Sequence, residues 1–207
     1  MKVPSHLSRH MLAATLALAM ATPFVGPVHA QQANSAAVEQ LLAKQAIYEQ
    51  IVRYPRGLDR GDRDLLLSIA HPGARMRFGS REFPSWEAYV DWLIKAHDEM
   101  KGNNHRMSNI LIEVNGDRAV SETTGTATLL VPKEGNPKLF EERWMHSRYL
   151  DTWSRKNGKW ALDSRHTVSD YRRVLDVPAD LVNSRYEVIG HTGRNDPSYP
   201  LFESLKK

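Results

Sequence analysis

Apolar and polar positions divide the chain into a helical half and a stranded half. From Ala36 to about Tyr54, the apolar residues Val38, Leu41, Leu42, Tyr48, Ile51 and Val52 recur at three- and four-residue steps. That is one face of a helix, and it predicts packing against something larger. Gly61 breaks the run. Asp62 then stands where it can cap a second short helix, Arg63–Ala70, carried by Leu65, Leu66 and Leu67. His71-Pro72-Gly73 reads as a turn, with His71 a surface loop histidine, and Ala74–Phe78 alternates as a short strand. Pro84 and Ser85 open a third helix, Trp86 to about Met100. Trp86, Tyr89, Val90, Leu93 and Ile94 follow helical spacing there, with His97 at the edge of the stripe. Gly102-Asn103-Asn104 is expected to close that helix.

Beyond this point the period changes to two. Strands are expected over His105–Val114, Arg118–Val131, Leu139–Ser154 and Lys159–Tyr171. Asn115-Gly116 and Asn157-Gly158 supply hairpin turns, because both residues of each pair tolerate positive φ. Pro132–Pro137 forms the remaining loop. Helices followed by antiparallel strands define an α+β domain. One curved sheet is expected to wrap the long first helix and, with helices over its concave side, to enclose a pocket. Val174–Lys207 has little periodicity and three prolines. Its Tyr186, Val188, Ile189, Tyr199, Leu201 and Phe202 make it too apolar for a disordered tail, so it reads as an extended arm, packed on its own domain or on a neighbouring subunit. The domain proper is thus 31–173 and the arm 174–207.

Composition adds an address. Lys2 and Arg9 precede an uncharged apolar run, Met11–Ala21, and Val28-His29-Ala30 offers small residues before a cleavage point. The run is shorter than the roughly 20 residues that span a bilayer. Residues 1–30 are therefore read as a cleavable signal, which predicts a periplasmic or secreted product free of the membrane, 177 residues long and sized for one domain. Of 28 Lys and Arg, two lie in the signal and none of the 24 Asp and Glu do, which leaves a net +2. Without a basic stripe interleaved with aromatics, nucleic acid is not an expected partner. Cysteine is absent, which excludes disulfides, thiolate metal sites and cysteine nucleophiles. No HExxH or His-x-His spacing occurs, and no carboxylate cluster accompanies His105, so a metal site is not expected.

The candidate chemistry gathers around Tyr54, Asp59 and His105. Asp59 and His105 can meet as an orienter and a base, with Tyr54 beside them. Tyr54 and Asp59 are about one and a half helical turns apart, and Pro55 between them is expected to kink or end the helix and let both reach one cavity. The competing reading is that Asp59 merely helps to end the helix. A neutral imidazole is the natural base near pH 7. A carboxylate on its other nitrogen fixes the tautomer and stabilises the imidazolium. His146 is read as a satisfied barrel residue and His191 as structural or exposed. His166 shares alternation parity with Trp160 and Leu162, which makes it a candidate pocket residue.

Three segments carry a family resemblance: Arg53-Tyr54 with Leu58-Asp59-Arg60-Gly61-Asp62; His105 with Asn109 and Val114-Asn115-Gly116-Asp117-Arg118-Ala119; and Arg148-Tyr149-Leu150-Asp151-Thr152-Trp153 with Gly158-Lys159-Trp160. Together they resemble a SnoaL-like protein of the nuclear transport factor two-like superfamily, over about Ala36–Tyr171. The resemblance is to the branch with scytalone dehydratase, bile-acid dehydratase and hexachlorocyclohexane dehydrochlorinase. It implies a cone-shaped α+β barrel and a cofactor-independent lyase, releasing water or a small aldehyde from a bulky, aromatic (lignin-type) or polycyclic substrate. An isomerase or a non-catalytic binding cone are the alternatives within the family. It also implies Asp59 and His105 as the dyad, Tyr54 as a hydrogen-bond donor and Arg165 as an anchor on the last strand, unless a bulge shifts the register and brings in His166. Trp86 and Tyr149 are the aromatic candidates for the substrate wall. The second histidine of scytalone dehydratase falls near Thr123 or Thr124, so that enzyme's own reaction is not expected. A homodimer or homotrimer is implied.

Overall fold

A computed structural model describes residues 27–182, 190 and 192–206, with side chains from Asn34 onward. Residues up to Ala36 form a unit of their own, and Ala37–Lys207 form the second, to which everything below refers. The charged and apolar parts of the expected export signal, and Tyr186, Val188, Ile189 and His191 of the expected arm, lie outside the described residues. Among the described residues no helix is long and apolar enough to cross a membrane.

Helix α1 runs Pro27–Arg60, through Pro55 rather than ending at it, and the expected polar lead Gln31–Ser35 is already helical. Proline in a helix interior removes one ladder hydrogen bond and crowds the carbonyl four residues back, and the helix continues past both. The helix stops at Gly61, whose φ of 59° is left-handed. Gly61 N–H donates to the Leu58 carbonyl (3.1 Å) and Asp62 N–H to the Gly57 carbonyl (2.8 Å), a Schellman closure. The core face of α1 is Ala43, Ile47, Ile51, Tyr54 and Leu58. Of the stripe expected from the sequence only Ile51 is in the core. Val38, Leu41, Leu42, Tyr48 and Val52 are exposed, Leu41 by 67%. The helix carries two apolar faces, and the buried one is the face that continues past Pro55.

Asp62 caps α2 (Arg63–Leu67) by accepting from Leu65 N–H (3.0 Å). Ser85 caps α3 (Trp86–Asp98). Between them lie β1 (Ala70–Phe78), which contains the expected strand Ala74–Phe78, and a short β2 (Arg81–Phe83), which was not expected. The expected turn His71-Pro72-Gly73 is an irregular stretch of β1, where the register shifts between Ala70 and Arg75. His71 is half-buried there, its Nε2 3.0 Å from the Ser154 carbonyl, and is not a loop histidine. Gly102-Asn103-Asn104 opens β3 (Gly102–Asn115) rather than closing α3.

Then come β4 (Arg118–Pro132), β5 (Leu139–Lys156) and β6 (Lys159–Pro178). The second hairpin turn is as expected, with Asn157 and Gly158 both at positive φ. In the first, Asn115 pairs with Arg118, so the turn residues are Gly116 and Asp117 and only Gly116 is left-handed. The six strands form one curved, unclosed sheet in the order β2-β1-β6-β5-β4-β3. All neighbours are antiparallel except β1 and β6, which no hairpin joins. The result is an α+β cone with α1 and α3 against the inner face.

The last strand runs on to Pro178, four residues beyond the expected start of the arm. The described part of the arm packs back on its own domain. In α4 (Ser198–Glu203), Tyr199 O–H donates to Asp62 (2.8 Å), and the Arg56 guanidinium lies over the Tyr199 and Phe202 rings. Asp196 pairs with Arg60 at 3.2 Å, and Gly193 N–H donates to the Arg60 carbonyl. These contacts brace the end of α1 that carries Asp59.

Candidate active site

Asp59 sits one residue inside the C-terminus of α1. The Schellman closure satisfies that helix end with backbone groups, so the Asp59 carboxylate is free to reach across to β3. It accepts from His105 Nδ1 at 2.7 Å and from His105 backbone N–H at 3.1 and 3.2 Å. The competing reading, a carboxylate spent on ending its own helix, does not describe this geometry. Both side chains are largely withdrawn from water, His105 at 7% exposed and Asp59 at 12%. A carboxylate can only accept, so Nδ1 carries a proton, and in the neutral imidazole it is Nε2 that has the lone pair.

A second imidazole stands beside them. His97, on the last turn of α3, has its ring centroid 5.5 Å from that of His105. Its Nδ1 lies 2.8 Å from the Leu93 carbonyl. Burial lowers the His97 pKa, and this outweighs the opposing help of the Leu93 hydrogen bond. The sequence reading left His97 at the edge of an aromatic stripe. The signal available was its place three and four residues after Ile94 and Leu93, on the face that turns inward.

The other expected site residues gather elsewhere, in the centre of the cone. Tyr54 is fully buried and bonds to the Tyr89 hydroxyl at 2.5 Å, rather than to the dyad. Its ring meets those of Trp86 and Tyr149. Trp86 is sealed in the core and gives its N–H to the Leu66 carbonyl (2.9 Å). Tyr149 lies across Gly125, where an added Cβ would come within 2.1 Å of its ring. Burial raises the phenol pKa values of Tyr54, Tyr89 and Tyr149.

Arg165 enters this cluster through a bulge. Trp153 pairs with Leu162 but Thr152 pairs with Ser164, so Asp163 is an extra residue in β6. Trp160 and Leu162 face inward before the bulge, and Arg165 and Thr167 face inward after it. His166 is thereby turned to the opposite face, where it borders a surface groove of about 550 Å³ with Arg77, Leu150 and Thr152. The pocket position expected for His166 assumed unbroken alternation and is corrected. Arg165 holds Asp151 through Nε and Nη2 at 2.8 and 2.7 Å, with 1% and 0% of the two side chains exposed. Burial alone would lower the guanidinium pKa, but Asp151 more than offsets this and raises it. Its charge lies over the Tyr54 and Tyr149 rings at 4.2 and 4.6 Å. Asp151 is the partner that sequence reasoning missed.

Thr123 is buried in the same row as Tyr149 and Thr167. Asn109 sits at the β3 register shift with φ 47°, exposed. His146 is half-buried and stacked on Tyr171 at 4.1 Å. Among the described residues no cluster of His, Asp and Glu is placed to hold a metal ion.

The same cone is found in solved structures of low sequence identity. A hexachlorocyclohexane dehydrochlorinase, LinA-type3 from Novosphingobium barchaimii LL02, matches with TM-score 0.59 at 19% identity, over 67% of this chain and 94% of that one. A scytalone dehydratase-like protein from Novosphingobium aromaticivorans DSM 12444 matches with TM-score 0.57 at 18%, over 75% and 95%. A nuclear transport factor 2 (NTF2-like) superfamily protein from Salmonella enterica serovar Typhimurium LT2 matches with TM-score 0.54 at 19%, over 70% and 98%. No curated protein matches the chain in sequence. The profile of the SnoaL-like domain matches residues 39–166, a stretch that begins on α1, takes in Asp59 and His105 and ends just past Arg165. The chain belongs to the SnoaL-like family, with the fold of the NTF2-like superfamily.

Proposed function

We propose that the protein is a cofactor-independent lyase that removes water or a small aldehyde from a bulky aromatic or polycyclic substrate, with His105 as the base and Asp59 as its orienter. The observation that carries this reading is the buried Asp59–His105 contact, in which Nδ1 is tied to the carboxylate and Nε2 is left as a proton acceptor. In an elimination, Nε2 takes the proton from the carbon beside an activating ring or carbonyl. The C–H electrons become the new double bond and the neighbouring C–O bond breaks. The imidazolium, stabilised by Asp59, returns its proton to the departing oxygen as water. General acid–base help of this kind is worth about 10²–10⁴-fold, which suits a substrate whose proton is already activated. The similarity to dehydratase and dehydrochlorinase structures supports an enzyme of this general kind. Export after cleavage at Ala30, and assembly as a homodimer or homotrimer, belong to the same reading.

The test uses the mature protein and its His105→Ala and Asp59→Asn variants, incubated with hydroxylated aromatic, biaryl and steroid-like compounds and read by mass spectrometry. A product lighter than its substrate, lost in both variants, is the expected result. A product of equal mass would make the protein an isomerase on the same dyad. Turnover that survives in both variants would sink the site.

A further inference from the structure

His97 and His105 lie side by side but are wired differently. His105 is backed by a carboxylate, and His97 by the neutral carbonyl of Leu93. A carbonyl can only accept, so His97 also carries its proton on Nδ1 and leaves Nε2 with a bare lone pair. That Nε2 is buried and has no hydrogen-bond partner among the described residues. Asn103 stands two residues before His105, hence on the same face of β3. Its side-chain oxygen is also buried without a partner. Buried acceptors left unpaired cost free energy, and native proteins retain few of them. Each calls for a hydrogen-bond donor of its own, and the acceptor on His97 belongs to the ring beside the base.

We propose that His97 Nε2 reads a hydroxyl of the substrate next to the proton that His105 removes. The substrate class is thereby narrowed to compounds bearing a free phenol or alcohol O–H close to the bond that breaks. This rests on the reading of His105 as the base. His97 is a specificity residue and not a second base, because burial keeps it neutral and no carboxylate backs it. The substrate O–H donates to His97 and no proton is transferred, so the chemistry at His105 is unchanged.

The probes are guaiacol and 1,2-dimethoxybenzene, which share ring and bulk and differ in one free O–H. Binding is measured by protein-observed NMR titration. Wild type is expected to prefer guaiacol by about tenfold, the value of one typical net hydrogen bond. The preference should fall toward unity in His97→Leu, persist in part in His97→Gln, whose amide oxygen still accepts, and survive in His105→Gln. In ¹⁵N-histidine spectra of wild type, the His97 Nε2 signal should move with guaiacol and stay with the diether. The inference is overturned if wild type binds both probes equally or binds neither, if the preference survives His97→Leu, or if the Nε2 signal ignores guaiacol. If His105 proves dispensable for turnover while the preference still depends on His97, the base assignment fails and hydroxyl reading by His97 stands. If the dyad is required but the preference is indifferent to His97, only the present inference fails.

Discussion

Among the described residues two aspartates hold a nitrogen base at almost the same distance, Asp59 the half-buried His105 at 2.7 Å and Asp151 the buried Arg165 at 2.7 and 2.8 Å. They differ in what the partner of the carboxylate can do. Arginine keeps its proton at any working pH, so the Asp151–Arg165 pair is a fixed charge pair. It is roofed by Tyr54 and Tyr149 and cut off from water. Histidine can take and give a proton near neutrality, and the Asp59–His105 pair retains some contact with solvent. One pair builds the cone and sets its interior field. The other, in the proposed reaction, is the pair through which a proton enters and leaves. The shared carboxylate is therefore a poor guide to role, and the partner's chemistry and exposure are a good one.

The comparison breaks most visibly in turnover. His105→Ala and Asp59→Asn should each lose about 10²–10⁴-fold in rate while the urea midpoint changes little. A variant that unfolds instead would make this pair structural as well. The reverse is expected for Arg165→Met, which strands Asp151 in the core. It should cost about 3–5 kcal/mol in urea unfolding, and Asp151→Leu combined with Arg165→Met should recover much of that loss. Failure of the double variant to recover would show that the pair does more than neutralise itself.

Gly125→Ala tests the packing around the sealed pair. The new methyl meets the Tyr149 ring, and overpacking of this kind costs about 1–3 kcal/mol. The cost should appear in the unfolding midpoint, with no shift in the position of His105 resonances.

The smallest effect separates the two regions by pH. The folded-state pKa values of Tyr54, Tyr89 and Tyr149 are raised above 10.0, so the native state keeps protons that the unfolded chain releases. That stability is complete below pH 10 and falls as pH rises beyond it. The His97 value is lowered from 6.5, so the unfolded chain protonates first. That stability is present above about pH 6.5 and falls as pH drops through the lowered value. Urea midpoints across pH should show both slopes. Tyr89→Phe should reduce the alkaline slope and leave the acid one, and His97→Gln should reduce the acid slope and leave the alkaline one.

Much of this was legible in the sequence. Helix α3 and its cap Ser85, the cap Asp62 and the four long strands follow from local rules of periodicity and turn chemistry. So did the pairing of Asp59 with His105, once the order of the motifs pointed to the family. Local rules were weaker where two answers satisfied them. Helix α1 offers two apolar faces, and only the partner sheet decides that Ile47 and Tyr54 go inside while Leu41 and Tyr48 stay out. Pro55 looked like a terminus because its cost is local, whereas the burial of Leu58 beyond it is not.

By itself the sequence determined an α+β chain of the SnoaL-like kind, with a histidine and an aspartate available as a pair. Tertiary structure alone decided that Arg165, and not His166, faces the interior. One extra residue at Asp163 inverts the alternation, and a bulge exists only relative to the strand it fails to match. It also decided that Tyr54 belongs with Tyr89 and Arg165, and that His97 belongs beside His105. Those partners are brought together by the curvature of the sheet and the seating of α1 and α3 against it, a property of the packed whole that no stretch of sequence carries alone.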